Sequence, residues 1–208
     1  MNKEEPQKLV NIPVNSISLE GILTIPANAK GIVIFVHGSG SSRLSPRNNF
    51  VAEVLQKASL ATLLFDLLTE EEDLTYENRF NIELLTERII TVTNWIKKQP
   101  NTKNLNIGYF GASTGAAAAI KAAAKLGSMI KTIVSRGGRP DLAGKALGQI
   151  QTSILLIVGS NDFEVIQLNQ QASQLIKAKK ELTLVSGATH LFEEWNLRTS
   201  GKFSQQLV

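Results

Sequence analysis

Residues 104 to 120 read Asn104-Leu-Asn-Ile-Gly-Tyr-Phe110-Gly-Ala-Ser113-Thr-Gly115-Ala-Ala-Ala-Ala-Ile120. A short apolar stretch, Leu105 to Phe110, has the length and composition of a buried strand. An alanine-rich stretch, Thr114 to Leu126, has the composition of a helix. Between them lies Gly111-Ala112-Ser113-Thr114-Gly115, a G-x-S-x-G pattern at a strand-to-helix turn. Such a turn lifts the serine hydroxyl above a sheet only by a sharp bend. Side chains two positions either side would collide there, which is why glycines belong at 111 and 115. The bare pattern is common by chance, and its position between strand and helix makes it specific.

Working outward, strands and helices alternate along the chain. Two short alternating runs over residues 8 to 25, around Asn15-Ser16, predict an opening antiparallel hairpin. Gly31 to Val36 is a continuous apolar run, the mark of a strand covered on both faces. Helical spacing follows over Arg47 to Ser59, then a strand over Ala61 to Asp66. The segment Leu67 to Phe80, with the acidic run Glu70-Glu71-Glu72-Asp73, reads as a solvated polar loop. A helix is predicted over Asn81 to Lys98, stopped by Pro100. Beyond the Ser113 unit come a strand at Ile130 to Ser135, a short helix after Pro140, a strand at Ile154 to Val158, a helix at Glu164 to Lys177, a strand at Leu182 to Val185 and a terminal helix from about Leu191. This order predicts an α/β architecture: one domain over residues 1–208, with a mostly parallel sheet, an N-terminal antiparallel hairpin and helices on both faces. Reactive residues in such sheets gather beyond the carboxyl ends of the strands.

Composition narrows the chemistry. The chain has 208 residues, 43% of them hydrophobic, enough for one well-buried core. Cysteine is absent, which excludes disulfides, thiolate metal sites and a cysteine nucleophile. The formal charge is +4, but the lysines are scattered and fall near predicted helix ends, so a solvated surface is expected rather than a nucleic-acid site. The opening Met1-Asn2-Lys3-Glu4-Glu5-Pro6 leads into no apolar run of signal-peptide or membrane-spanning length. A cytoplasmic protein that contacts no membrane is the expectation.

A serine hydroxyl needs a base to remove its proton as it attacks. The chain offers two histidines. In folds that raise a serine on this turn, the order along the chain is serine, acid, histidine. His190, in the loop after the last strand, fits that order. His37 precedes the serine and is expected to be structural, holding its loop through a backbone hydrogen bond. Asp162, just past the penultimate strand, is the candidate acid, with the alternative that it merely caps the following helix. Asp141 is its rival, in the first turn after Pro140. The acid would fix the tautomer of His190 and stabilise the imidazolium. An oxyanion hole would draw on the backbone N–H of Thr114 and that of Ser39, in the loop His37-Gly38-Ser39-Gly40-Ser41-Ser42. The same loop lacks the third glycine of a dinucleotide fingerprint and any G-K-[ST], which argues against a nucleotide site.

The loop His37-Gly38-Ser39-Gly40, the turn Gly108 to Ala116, the acid turn Gly159-Ser-Asn-Asp162 and the loop Gly187-Ala-Thr-His190 together resemble the α/β-hydrolases, and within them the dienelactone hydrolase branch. The likeness runs over nearly the whole chain. Ser42-Arg-Leu-Ser-Pro-Arg-Asn48 and Phe65-Asp-Leu-Leu-Thr69 are similar to one cytosolic subgroup. The resemblance implies an α/β-hydrolase fold and a hydrolase that needs no cofactor and no metal. Dienelactone hydrolases proper carry a cysteine nucleophile, whereas this chain carries Ser113. A serine carboxylesterase acting on a small-molecule ester is therefore the expectation, with acyl transfer on the same residues or a non-catalytic binding module as alternatives. No insertion has the length of a lid domain. Arg43, Arg47, Arg136 and Arg139 either clamp an anionic substrate or pair with Asp66 and Asp141 to hold loops, and structural pairing is expected.

Overall fold

The computed structural model describes residues 7–192; the terminal helix expected from about Leu191 therefore falls almost wholly outside the described residues. The chain opens with a hairpin, β1 (Lys8–Val14) and β2 (Ile17–Thr24), turned at Asn15 with φ 53°. Then follow β3 (Gly31–Val36), α1 (Pro46–Lys57), β4 (Leu60–Phe65), α2 (Glu70–Asp73) and α3 (Ile82–Ile96). The second half holds β5 (Asn106–Ala112), α4 (Thr114–Leu126), β6 (Ile130–Arg136), β7 (Ser153–Gly159), α5 (Phe163–Leu175) and β8 (Lys180–Val185). The eight strands form one sheet in the order β1-β2-β4-β3-β5-β6-β7-β8. β2 runs antiparallel to β4, and from β4 to β8 every neighbouring pair is parallel.

The alternation of side chains along a strand divides the core between the two faces of the sheet. In β3, Ile32, Ile34 and Val36 point into the larger cluster, built with α3 and α4, while Phe35 points into a smaller one with Ala52 and Leu55 of α1. β5 repeats the division: Ile107 and Tyr109 face the larger cluster, Phe110 the smaller. Complete burial of each such aliphatic side chain contributes about 1.5–3 kcal/mol. Ala116 to Ala119 of α4 are all fully buried, and side chains of that size let the helix lie close against β5 and β6. No described helix is long and apolar enough to cross a membrane.

The segment from Leu67 to Phe80 differs from its expected form as a solvated loop. Leu67 is a core residue, Glu70–Asp73 forms the short helix α2, and Tyr76–Phe80 makes a 3₁₀ turn. Thr69 caps α2 reciprocally with Glu72: Thr69 Oγ1 accepts from Glu72 N–H and Glu72 Oε2 accepts from Thr69 N–H. Glu72 also pairs with Arg88 of α3 and Asp73 with Arg79, which leaves Glu70 and Glu71 as the solvated members of the acidic run. The run therefore anchors a folded turn. The element after Pro140 is a 3₁₀ segment, Pro140–Gly148, broken at Gly144, rather than a regular helix.

Inside the larger cluster, the Tyr109 hydroxyl lies 2.6 Å from Thr93 Oγ1, whose own proton goes to the carbonyl of Ile89 at 2.7 Å. Tyr109 is therefore the donor. Tyr109→Phe should cost about 1 kcal/mol, because the threonine keeps its second partner. A thermal melt should register this as a fall of about 2–4 °C, and an unchanged melting temperature would count against a net contribution from the pair.

Candidate active site

Ser113 occupies the single residue between β5 and α4, with φ 49° and ψ −125°. A serine held there carries about 1–3 kcal/mol of backbone strain. The turn is closely packed on both sides. A Cβ on Gly115 would overlap the carbonyl oxygens of Val36 and His37, and one on Gly111 would come within 2.6 Å of Ala116 Cα. The Ser113 carbonyl accepts from Ala116 N–H at 3.1 Å and from Arg139 N–H at 3.0 Å, and its own N–H donates to Arg136 O at 3.4 Å. The end of β6 and the loop after it thus grip the serine's backbone on both sides.

Asp162 and His190 are brought together by loops that are sewn to each other. Ser160 N–H donates to Val185 O at 2.9 Å and Asn161 N–H to Ala188 O at 3.0 Å. The Asn161 amide donates to Gly187 O, and Gly187 N–H donates to Ser160 Oγ. Those contacts bring Asp162 Oδ2 to 2.7 Å from His190 Nδ1. Asp162 does stand at the N-cap position of α5, yet its carboxylate makes no capping bond and turns to the imidazole. Asp141 instead forms a two-point pair with Arg139. His190 is 40% exposed, accessible to a substrate, whereas Asp162 is 13% exposed. Among the described residues no hydrogen bond joins Ser113 Oγ to His190. Such contacts commonly tighten only in the substrate complex.

Ser39 and Thr114 also meet, though not as two open donors. Ser39 N–H donates to Thr114 Oγ1 at 3.0 Å, so the proton expected to face an oxyanion faces a hydroxyl. Thr114 begins α4, where its own N–H has no partner within the helix. Beside this loop opens a cleft of about 690 Å³, bordered by Ser39, Ser42, Leu67, Thr69 and Glu71. Of the arginines, Arg43 pairs with Asp66 and Glu20, and Arg139 with Asp141, so both hold loops. Arg136 has a different setting: it donates to Asn48 Oδ1 at 3.1 Å and lies against the rings of Phe110 and Phe192. Burial, with Arg47 close by, lowers its pKa to about 10. Among the described residues no group of three or more histidine, aspartate or glutamate side chains is spaced to hold a metal ion.

His37 has the structural role expected of it. Its Nε2 accepts from Leu67 N–H at 3.1 Å, so Nδ1 carries the proton and donates to Gly38 O at 2.9 Å. The ring thereby ties the Ser39 loop to the start of the α2 segment. Sequence reasoning did not anticipate this second bond, which crosses 30 positions to a backbone amide with no signature.

A match to the dienelactone hydrolase family covers residues 19–202, and the chain belongs to that family of α/β-hydrolase enzymes. A dienelactone hydrolase from Anabaena variabilis ATCC 29413 is 46% identical, superposes with a TM-score of 0.93, and is matched over 99% of this chain and 96% of that one. Est1E from Butyrivibrio proteoclasticus, 17% identical with a TM-score of 0.80 over 96% of each chain, shares the fold. Two Mycobacterium tuberculosis proteins provisionally named phosphoribosyl transferases are 55% identical over 185 residues, 89% of this chain. The chain spans 42% of the length of these curated relatives.

Burial pushes the pKa of His37 below its ordinary 6.5. The unfolded chain therefore takes up this proton first, and stability should decline as pH falls from about 6.5 through the lowered native value. Urea unfolding at pH 5, 6 and 7.5 should register that decline. His37→Gln should be less stable at pH 7.5 and flatter across the range; an equal slope in both proteins would remove His37 as its source.

Proposed function

We propose that the chain is a serine hydrolase that cleaves a carboxylic ester, or a related acyl bond, through an acyl-enzyme on Ser113. The observation that carries this reading is the 2.7 Å contact between Asp162 Oδ2 and His190 Nδ1, made by the residues that follow the serine in the expected order. With Nδ1–H donated to the carboxylate, Nε2 is left as the basic nitrogen. Ser113 Oγ attacks the carbonyl carbon and its proton passes to Nε2. The tetrahedral intermediate collapses, and the imidazolium protonates the leaving alcohol. Water, deprotonated by the same ring, then releases the acid.

Negative charge on the former carbonyl oxygen is met by Thr114 N–H and by Ser39 N–H, which gives up Thr114 Oγ1 for the stronger acceptor. A donor of this kind is worth about 2.7–4 kcal/mol in the transition state. One side of the substrate occupies the cleft beside Ser39. The scheme uses no cofactor, and its partner is a small molecule rather than nucleic acid or membrane. The transferase name of the M. tuberculosis relatives is not carried over. It describes a protein more than twice as long as the matched stretch, and the strained serine and the Asp–His pair of this chain suit acyl chemistry.

A small chromogenic ester should give a burst of alcohol stoichiometric with protein, and a fluorophosphonate should add to Ser113, as read by mass spectrometry. Ser113→Ala should abolish both. Together with Asp162→Asn it should show losses in kcat of about 10⁴- to 10⁶-fold. A folded parent whose Ser113 stays unlabelled, with no turnover of esters of graded size, sinks the reading.

A further inference from the structure

Asn169 lies on α5 and is fully buried, with 0% exposure. Its side-chain amide donates to Val165 O, one turn back, at 2.8 Å and to Gly138 O at 2.9 Å. Two carbonyls at one nitrogen fix the orientation of the amide, since the opposite one would set oxygen against oxygen. Asn169 Oδ1 has no hydrogen-bond partner among the described residues. A buried acceptor left in that state costs free energy, so packing alone would favour an apolar residue of this size. The donation to Gly138 is what an asparagine adds.

Gly138 belongs to the loop between β6 and the 3₁₀ segment, and its neighbours touch the reacting residues. Arg139 N–H donates to the Ser113 carbonyl at 3.0 Å. Gly137, at φ 50°, donates to Ile157 O at 2.7 Å and lies beneath the histidine: a Cβ there would be 3.2 Å from His190 O and 3.7 Å from His190 Nδ1. Gly138 itself has no room for a side chain, because a Cβ would overlap Ser135 Oγ and come within 2.7 Å of Ala116 Cβ in α4. Asp162 starts α5, seven positions before Asn169. Seven residues are close to two full turns, so both lie on one side of the helix, about 10 Å apart.

We infer that Asn169 is a positioning residue: by donating to Gly138 O it fixes the acid's helix to the loop that seats both Ser113 and His190, and so sets the spacing among the three. This inference rests on the ester-hydrolase reading above. Asn169 touches no reacting atom, and its effect should appear in kcat rather than in substrate binding.

Asn169→Leu keeps the branched outline and the number of heavy atoms and removes the donor. With a small chromogenic ester, assayed well below the melting temperatures of all the proteins, it should lower kcat by about 10- to 100-fold, the scale of a misplacement near 1 Å, and leave KM within about twofold. The rate of fluorophosphonate labelling at Ser113 should fall by the same factor as kcat/KM. Ala172→Gly, also buried in α5 but with no donor to lose, controls for destabilisation of the helix and should keep the parent kcat. Asn169→Ser repeats the measurement should the leucine variant not fold. An active parent with an unchanged Asn169→Leu, or equal losses in Asn169→Leu and Ala172→Gly, overturns the inference alone. A parent inert to esters and to the fluorophosphonate overturns the ester-hydrolase reading and this inference with it.

Discussion

The first turn of α4 lies with its backbone against the carbonyl oxygens of Val36 and His37, and that approach sets the carboxyl edge of the sheet. It holds Ser113 in a conformation serine rarely takes and keeps the serine's carbonyl within reach of Arg139 N–H. It also brings Thr114 to the loop that begins at His37. Strain of this size persists only where the surroundings over-determine it. Here they consist of a buried alanine helix on one side, two flanking parallel strands, and a glycine-bearing loop after β6.

The contact between Asp162 and His190 depends on backbone pairing more than on side-chain packing. Asp162 reaches His190 because two consecutive amides of one loop bond to carbonyls of the other, so the Asp162 and His190 loops form a single unit at the ends of β7 and β8. His37 does the same for the opposite rim, linking the Ser39 loop to the β4–α2 connection through both ring nitrogens. The result is two stitched loop pairs flanking one strained turn.

Much of this was legible in the sequence because it is written in local patterns. Runs such as Gly31–Val36 are apolar at every position, since both faces of a central parallel strand are covered. The glycines at 111 and 115 are spaced by the needs of the turn. The fold of the Leu67-to-Phe80 segment is hidden because four consecutive acids read as solvated, although Thr69 and Glu72 carry the spacing of a reciprocal helix cap. Other features have no local trace. The contact of Ser39 with Thr114 spans 75 positions and that of Asn169 with Gly138 spans 31. An asparagine inside a helix gives no sign of the carbonyl it will meet. The setting of Arg136 against two rings and Asn48 likewise follows from tertiary placement alone.

The dihedral angles at position 113 have an evolutionary consequence. Glycine adopts a positive φ without penalty, so selection for robustness alone would drift this site toward glycine and discard the hydroxyl. Durability and reactivity therefore pull in opposite directions at one residue: glycine would relax the backbone there, and only a side chain can carry a hydroxyl.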